Sequence, residues 1–226
     1  MGEALRLVKT IRSDNLIWEF WEDENGQTFT KKRLADLPPK VAIEMLSDFG
    51  FPAKYLNPIR EGRVRSEVEI EGQRFPVESF EIGKKWATEK FPQSLLLLGS
   101  VGTGKTQAVV TATYWLLKKR KIGTARFYSA MELRAAFEKG ELQKDLSTVD
   151  LLIIDDLGRE YKSDFNAYIV ETVITTRYDL EKPVAITTNI TFEEIARRYT
   201  PRVLDRLREW AYRKVIRQTF SLRGRV

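Results

Sequence analysis

The residues with the clearest chemical potential are the eight consecutive positions Gly99–Thr106, which read Gly-Ser-Val-Gly-Thr-Gly-Lys-Thr. They follow a short apolar segment, Ser94–Leu98, which is predicted to be a strand, and they open a predicted helix, Gly104–Lys119. In this context the glycines allow backbone N–H groups to turn around phosphate oxygens, and the helix start adds partial positive charge. Lys105 is expected to reach the β- and γ-phosphates, and Thr106 to offer a hydroxyl to Mg²⁺. The predicted phosphate-binding residues are Gly99, Ser100, Val101, Gly102, Thr103, Gly104, Lys105 and Thr106.

Two neighbouring acids, Asp155 and Asp156, end an apolar segment, Asp150–Ile154, which is predicted to be a buried strand. Ligands of open α/β sheets bind at the carboxyl ends of such strands. Asp155 is therefore expected to hold Mg²⁺, directly or through water, and Asp156 to orient or deprotonate an attacking water. A third polar residue, Asn189, follows the predicted strand Val184–Thr187. From there it can touch the γ-phosphate and the water, so the sequence predicts a catalytic nucleotide site.

The spacing of these motifs separates classes of nucleotide-binding protein. Asp155 lies 50 positions after Lys105, and a helix, a strand and another helix are predicted between them. This indicates an ATPase in which a further strand lies between the two motifs. The segment Asp155–Gly158 also fits the D-x-x-G pattern of GTPases. However, no N-K-x-D or T-K-x-D segment is present, and Thr30–Arg33 lacks the Asp. ATP is therefore favoured over GTP.

The composition excludes several kinds of chemistry. The 226 residues contain no Cys and no His, which removes disulfides, thiol nucleophiles, Ser-His-Asp catalysis and His-ligated metals. Any metal must be a hard, oxygen-ligated ion such as Mg²⁺. The net charge is +6, and residues 197–226 hold ten basic and two acidic residues. That segment is either a solvated basic face or a surface for phosphate. No apolar run reaches membrane-spanning length and the first residues resemble no secretory signal, so a cytoplasmic protein without membrane contact is expected.

The elements that must position these residues alternate between strands and helices, which predicts an α/β fold with a parallel sheet flanked by helices. Residues 1–48 differ from the rest. A hairpin is predicted around Asn25-Gly26, with Trp18, Phe20 and Trp21 on one strand, and a helix at Val41–Phe49. This aromatic density indicates either a small core or a partner-binding surface. Further predicted elements are Phe80–Lys90, Thr124–Tyr128, Ala130–Glu138, Ser163–Leu180, Thr191–Arg198, Pro201–Ala211 and Val215–Phe220.

Several segments between about residue 49 and residue 226 together resemble AAA+ P-loop ATPases. Within that group they are similar to the DnaC-type replicative helicase loader family. The segments are Gly50–Tyr55, Asp155–Gly158, Thr187–Asn189, Arg202–Arg208 and Ser221–Val226. The last two segments are the most specific, because the phosphate-binding loop Gly99–Thr106 and the acids Asp155 and Asp156 alone indicate only an ATPase. The resemblance implies an AAA+ domain over residues 49–226 without the C-terminal helical lid that most AAA+ proteins carry.

The resemblance also implies roles for individual residues. Tyr55 is expected near the adenine, and Arg202 and Arg223 are expected to contact the nucleotide. Arg206 is expected to act as an arginine finger in the site of a neighbouring subunit, which implies self-association. Asp156 departs from the family pattern, since most AAA+ proteins have Glu there, and slow hydrolysis is expected.

The same resemblance implies partners. Contacts to single-stranded DNA carry over to Phe137, Ser163 and Phe165, and two of these are aromatic, as base stacking requires. Packing or helix capping explains each of the three equally well. By position alone, residues 1–48 are expected to bind the replicative hexameric helicase, although they match no zinc-bearing loader domain.

Other functions remain open at this point. An IstB-like transposition helper shares the core but binds duplex DNA and a transposase. A small-molecule kinase would need a substrate-binding lid, which the sequence does not indicate. A nucleotide-switched adaptor would bind ATP without useful turnover. The favoured function is an ATP- and Mg²⁺-dependent helicase loader acting in DNA replication.

Overall fold

The computed structural model describes residues 5–13, 15–70, 72–218 and 220–222. Its first elements are the strands β1 (Arg6–Ser13), β2 (Leu16–Glu22) and β3 (Thr28–Leu34), followed by helix α1 (Pro39–Asp48). The strands form an antiparallel sheet in the order β1-β2-β3. The predicted hairpin is confirmed as β2–β3, but β1 was not predicted. All eight residues of β1 are exposed. Its sequence does not alternate between apolar and polar residues as that of a half-buried strand does, and therefore gave no signal.

The segment before the phosphate-binding loop is more structured than the sequence indicates. It contains helix α2 (Ala53–Arg60), the hairpin strands β4 (Glu67–Ile70) and β5 (Gln73–Pro76), and helix α3 (Glu78–Lys85). A π-helical turn, Trp86–Lys90, continues α3. The prediction of one regular helix at Phe80–Lys90 is therefore wrong in two respects. The helix begins earlier, at Glu78, and its last turn is π-helical. There the fully buried Trp86 donates its indole N–H to the carbonyl of Gln93 at 2.6 Å.

The main sheet has five parallel strands. They are β6 (Ser94–Leu98), β7 (Ala125–Ser129), β8 (Leu151–Leu157), β9 (Val184–Thr188) and β10 (Ala211–Val215). Their order is β10-β6-β9-β8-β7. The intervening helices are α4 (Lys105–Lys118), α5 (Leu133–Glu138), α6 (Glu141–Thr148), α7 (Asp164–Asp179), α8 (Phe192–Arg198) and α9 (Pro201–Trp210). Strand β9 thus lies between the strand before the phosphate loop and the strand that bears the acids, as predicted.

Apolar residues of each sheet strand alternate between two cores. Leu96 and Leu98 pack in one buried cluster with α7 residues such as Ile169. Leu95 and Leu97 pack in the other, with α4 residues such as Val109. Both faces of the sheet are therefore covered by helices, which confirms the predicted α/β architecture.

Helix α1 belongs to the second of these cores. Ala42, Ile43 and Leu46 lie in the same cluster as Leu95 and Leu97. The prediction grouped residues 1–48 together, whereas α1 packs against the five-stranded sheet and the strands β1–β3 form a sheet of their own. Among the described residues, no helix combines the length and apolar character that a membrane span requires.

The C-terminal strand lies earlier than predicted. Helix α9 ends at Trp210, and β10 pairs in parallel with β6 from Ala211 to Val215. The predicted strand Val215–Phe220 is therefore wrong. Residues beyond β10 turn toward the phosphate loop instead, where the N–H of Leu222 donates to the carbonyl of Gly102 at 2.8 Å.

Candidate functional site

The loop between β6 and α4 adopts a conformation that requires glycine. Gly102 and Gly104 have φ angles of 85° and 81°, in the left-handed region. A Cβ at Gly102 would lie 2.3 Å from the Ser221 hydroxyl, and one at Gly104 would lie 2.9 Å from atoms of Ser79 and Leu222. The loop is therefore packed from two sides while its N–H groups surround the start of α4.

Lys105 is buried at the first position of α4. Its ammonium donates to the carbonyl of Gly99 at 2.7 Å, to the carbonyl of Ser100 at 2.8 Å, and to Asn189 Oδ1 at 2.8 Å. Two residues predicted from distant motifs, Lys105 and Asn189, are thus in direct contact. The ammonium is held over the loop, where the phosphate chain of a nucleotide would lie.

Asp155 is buried beneath the loop and accepts two hydroxyl hydrogen bonds. Its Oδ1 accepts from Thr106 at 2.7 Å and from Thr187 at 2.6 Å. Burial raises the pKa of Asp155 above its usual value, and the two hydroxyls partly oppose that shift. A desolvated carboxylate beside a threonine hydroxyl supplies the hard oxygen ligands that Mg²⁺ prefers. Thr106 and Asp155 therefore fit the predicted metal.

Asp156 lies in a bulge of β8. The β8–β9 register shifts between Ile154 and Leu157, and Asp156 has a φ of 56°. Its N–H donates to the Thr187 hydroxyl at 3.0 Å. Its carboxylate accepts from Asn189 Nδ2 at 3.3 Å and pairs with the Arg159 guanidinium at 3.2 Å. The bulge turns Asp156 out of the strand alternation and towards the phosphate loop.

Lys105, Thr106, Asp156 and Asn189 line one cleft with a volume of about 500 Å³. The phosphate loop, Asp156 and Asn189 form one part of its wall, and Tyr55 forms another. The carbonyl of Tyr55 accepts from Gln107 Nε2 at 3.0 Å, which ties helix α2 to α4. A cleft of this size accommodates a drug-sized ligand or a nucleotide.

The predicted arginines do not join this cleft within the described part of the chain. Arg202 lies 3.6 Å from Glu171 in an ion pair, and its side chain is exposed. Arg206 pairs with Asp179 at 3.1 Å, and its guanidinium lies 4.6 Å from the centre of the Tyr178 ring. Both therefore lie on the side of α9 that packs against α7. Arg223 lies outside the described residues.

Two of the three predicted DNA contacts lie together. The ring centres of Phe137 and Phe165 are 5.9 Å apart, and Tyr168 lies 6.1 Å from Phe137 and 6.5 Å from Phe165. The Arg134 guanidinium lies 5.2 Å from the Phe165 ring. Phe165 and Tyr168 are exposed. Ser163, in contrast, caps helix α7, because its hydroxyl accepts from the Asn166 N–H at 3.2 Å.

The sequence interpretation missed several residues of these sites. Thr187 lies within a quoted motif but was given no role, although its hydroxyl contacts both Asp155 and Asp156. Arg159 and Tyr168 carry no signal in one sequence beyond their proximity to motif residues. The β8 bulge is not visible in the apolar pattern of that strand, since it depends on pairing with β9.

Comparison with known proteins then identifies the family. A family model described as "IstB-like ATP binding protein" matches residues 84–212, which is more than half of the chain. The chain belongs to this family. The replicative helicase loader DnaC of Escherichia coli (strain K12) is 31% identical over 140 residues, which cover 59% of this chain and 57% of that relative. The present chain thus matches little more than half the length of that relative.

Solved structures agree with the assignment of this IstB-like protein. The structure described as the DnaC helicase loader shares 25% identity and a TM-score of 0.52, covering 61% of this chain and 87% of that one. The structure described as DnaI shares 22% identity and a TM-score of 0.54, covering 69% and 88%. The latter likeness concerns the fold alone. Together with the family match, these likenesses confirm the predicted AAA+ P-loop fold.

Proposed function

We propose that this protein binds and hydrolyses ATP with Mg²⁺ in order to load a replicative helicase onto single-stranded DNA. The observation that carries the proposal is the convergence of Lys105, Asp156 and Asn189 on one cleft, with Asp155 hydrogen-bonded to Thr106 behind it, in a chain related to DnaC. These residues come from the start of helix α4, from strand β8 and from the end of β9, which a glycine-rich turn alone would not require.

ATP binding would use the phosphate loop. The N–H groups of residues 99–106 and the Lys105 ammonium would hold the β- and γ-phosphates, with phosphate oxygens replacing the carbonyls that the ammonium now contacts. Thr106 and Asp155 would hold Mg²⁺, which when bound neutralises charge developing on the phosphates. Tyr55 lines the same cleft on the side of α2 and would lie near the adenine.

Hydrolysis would depend on Asp156 and Asn189. The Asp156 carboxylate would orient or deprotonate the attacking water. Asn189 would fix the position of that carboxylate relative to the γ-phosphate. The contacts of Asn189 with both Lys105 and Asp156 support this positioning role. The Arg159 guanidinium pairs with the same carboxylate at 3.2 Å, and this competing contact supports slow basal turnover.

Arg206 would act in the site of a neighbouring subunit. Its contacts with Asp179 and Tyr178, away from its own cleft, support a role across an interface. An arginine supplied in trans is worth ~10³–10⁵ in rate where turnover depends on it. We expect Arg206→Ala to bind ATP normally but to lose stimulated turnover.

Single-stranded DNA would bind at the cluster formed by Phe137, Phe165 and Tyr168, with Arg134 beside it. Exposed aromatic rings next to a guanidinium favour base stacking together with phosphate contact. We expect Phe165→Ala to weaken binding by ~1–3 kcal/mol with little dependence on base sequence. Leu180→Ala, an exposed apolar change at the far end of the same helix, is the matched control.

Mixing of inactive variants tests the ATPase part of the proposal. Lys105→Ala and Arg206→Ala should each lack activity, and their mixture should recover part of it, because one subunit supplies an intact site and the other an intact finger. Arg208→Ala, on the same helix, should behave as the wild type. If no mixing ratio exceeds the separate variants while both are folded and associate, Arg206 does not act across an interface.

A DNA competition assay separates loading from transposition. The family description also fits an IstB-like transposition helper, which would prefer duplex DNA. A loader should instead bind single strands more tightly in the presence of ATP and should transfer a replicative helicase onto a single-stranded circle. A pull-down with the full chain and a variant of the β1–β3 sheet tests whether residues 1–48 hold the helicase.

A further inference from the structure

The β1–β3 sheet carries two aromatic rings on one face of its central strand. Trp18 and Phe20 are two positions apart on β2, so both side chains point to the same face, about 7 Å apart. In the register of the sheet, Trp18 lies between Ile11 and Lys32. The two rings are half-buried, whereas the residues beside them are exposed. We call this surface the Trp18 face.

Phe20 occupies the next position along the same face, between Lys9 and Thr30. Each ring is therefore flanked by one lysine. The Lys32 ammonium lies 4.9 Å from the centre of the Trp18 ring, close enough for a cation–π contact.

The charge on the Trp18 face is positive. Among the described residues of this face the acidic one is Glu22, and it forms an ion pair with Arg6 at 2.8 Å. Lys9 and Lys32 thus set the net charge of the face, next to the rings.

The opposite face of the same strand differs in character. It carries Ile17, Glu19 and Trp21, of which Ile17 is buried. Glu19 is paired with Arg33 at 2.7 Å, and Trp21 lies between the exposed apolar residues Leu7 and Phe29. The cations of this side, Arg12, Lys31 and Arg33, lie opposite Ile17 and Glu19 rather than beside Trp21.

We infer that the Trp18 face binds single-stranded nucleic acid, with bases stacked on Trp18 and Phe20 and phosphates at Lys9 and Lys32. Aromatic rings on a sheet surface beside cations are the combination that single-strand binding requires, because every base offers a π-face. A duplex cannot use it, since its bases are already stacked and paired. The inference goes beyond the proposed function, which gives residues 1–48 only a helicase contact.

Titration of a labelled oligothymidine by the full-length protein tests the site, with fluorescence anisotropy as the readout. Trp18→Ala should weaken binding by about 5- to 150-fold, which corresponds to the loss of one stacked base. Trp21→Ala, which removes the same side chain from the opposite face, should change binding less than about two-fold. Thermal unfolding of both variants checks that the sheet is intact.

Charge neutralisation provides a second test that does not disturb packing. Lys9→Gln combined with Lys32→Gln changes two exposed side chains, and it should lower the slope of log affinity against log salt by about 1.4, since each phosphate contact contributes about 0.7. Repeating both tests with Phe165→Ala present separates this site from the Phe137–Phe165 cluster, because the two effects should add.

Two outcomes would overturn the inference. One is an unchanged affinity for oligothymidine in folded Trp18→Ala and in the double lysine variant. The other is a loss of oligothymidine affinity with folded Trp21→Ala equal to that with Trp18→Ala, which would show that the loss does not depend on the Trp18 face.

Discussion

The backbone of Asp156 leads to a prediction that runs against chemical similarity. Glu is the conservative replacement for Asp, and it is the residue that most AAA+ proteins have at this position. However, Asp156 has a φ of 56°, in the left-handed region, where short polar side chains and glycine are tolerated best. We therefore expect Asp156→Glu to destabilise the nucleotide-free protein more than Asp156→Asn or Asp156→Gly does.

The magnitude follows from the contacts of this residue. A left-handed conformation costs an ordinary L-residue roughly 1–2 kcal/mol, and Asp avoids part of this through local hydrogen bonding. The ion pair with the exposed Arg159 contributes at most ~0.5 kcal/mol, so its loss in the Asn and Gly variants is a small effect. Asp156→Glu should lower the free energy of unfolding by ~1 kcal/mol, which corresponds to a fall in Tm of ~2–4 °C for a chain of this size.

The assay is urea and thermal unfolding of the nucleotide-free protein, followed by tryptophan fluorescence. The matched control is Asp205→Glu, the same substitution at an exposed position of helix α9, which should remain within ~0.5 kcal/mol of the wild type. ATP turnover of the same proteins should fall with Asn and Gly, which lack the carboxylate, but should persist with Glu. If the Glu variant is as stable as the Asn variant, or more stable than the Gly variant, backbone conformation does not explain the Asp at this position.

Three further changes have expected outcomes. Thr187→Val should destabilise the protein by ~1–3 kcal/mol, measured by urea unfolding, because it leaves the Asp156 N–H without its hydroxyl acceptor; Thr187→Ser should restore most of that loss. Asp155→Asn should stabilise the nucleotide-free protein near neutral pH, because burial raises the pKa of Asp155 and its ionisation therefore opposes folding. The wild type should lose stability relative to this variant as the pH rises above the usual pKa of an aspartate, and a parallel pH dependence of the two proteins would contradict the assignment. Arg177→Met should lower the free energy of unfolding in urea by at least ~3 kcal/mol, because the buried guanidinium donates to four backbone carbonyls. A loss below ~1 kcal/mol would show that these hydrogen bonds contribute little to stability.

The sequence predicts the centre of this fold well because its signals there are local. The apolar run Ser94–Leu98, the glycines of the phosphate loop and the long helix after it follow one another without a gap. The pattern at 151–156 is equally clear, and the order of the motifs predicts that another strand separates them. Each of these signals depends on neighbours in the sequence, so tertiary packing does not need to be known.

The two strands that the sequence interpretation missed or misplaced have different causes. Strand β1 is exposed along its length and pairs with its neighbour β2, and its sequence has no apolar alternation that would reveal it. Strand β10 begins directly after helix α9 because its backbone pairs with β6, more than a hundred residues earlier in the chain. The apolar residues at 215–220 gave the wrong position for that strand because apolar character alone does not reveal which segment pairs with the sheet edge.

The link between the loop that follows Asp156 and the helices α8 and α9 is also a tertiary feature. Glu160, which is buried, accepts from the Gly158 N–H at 2.9 Å and from Arg198 Nε at 2.9 Å, and it also accepts from the Tyr199 hydroxyl. Burial and this carboxylate raise the pKa of Tyr199, so the phenol remains a donor.

The Glu160 carboxylate joins two parts of the chain to which the proposed function gives separate roles. Arg198 ends helix α8, and α9, which carries Arg206, begins three positions later at Pro201. The other end of the link is the loop that follows Asp156. Because a buried, hydrogen-bonded carboxylate resists separation from its partners, a shift of the Asp156 loop must move the start of α9 with it or break these bonds. Under the proposed function, the residue that would orient the attacking water and the helix that would present Arg206 to a neighbouring subunit are therefore linked through Glu160.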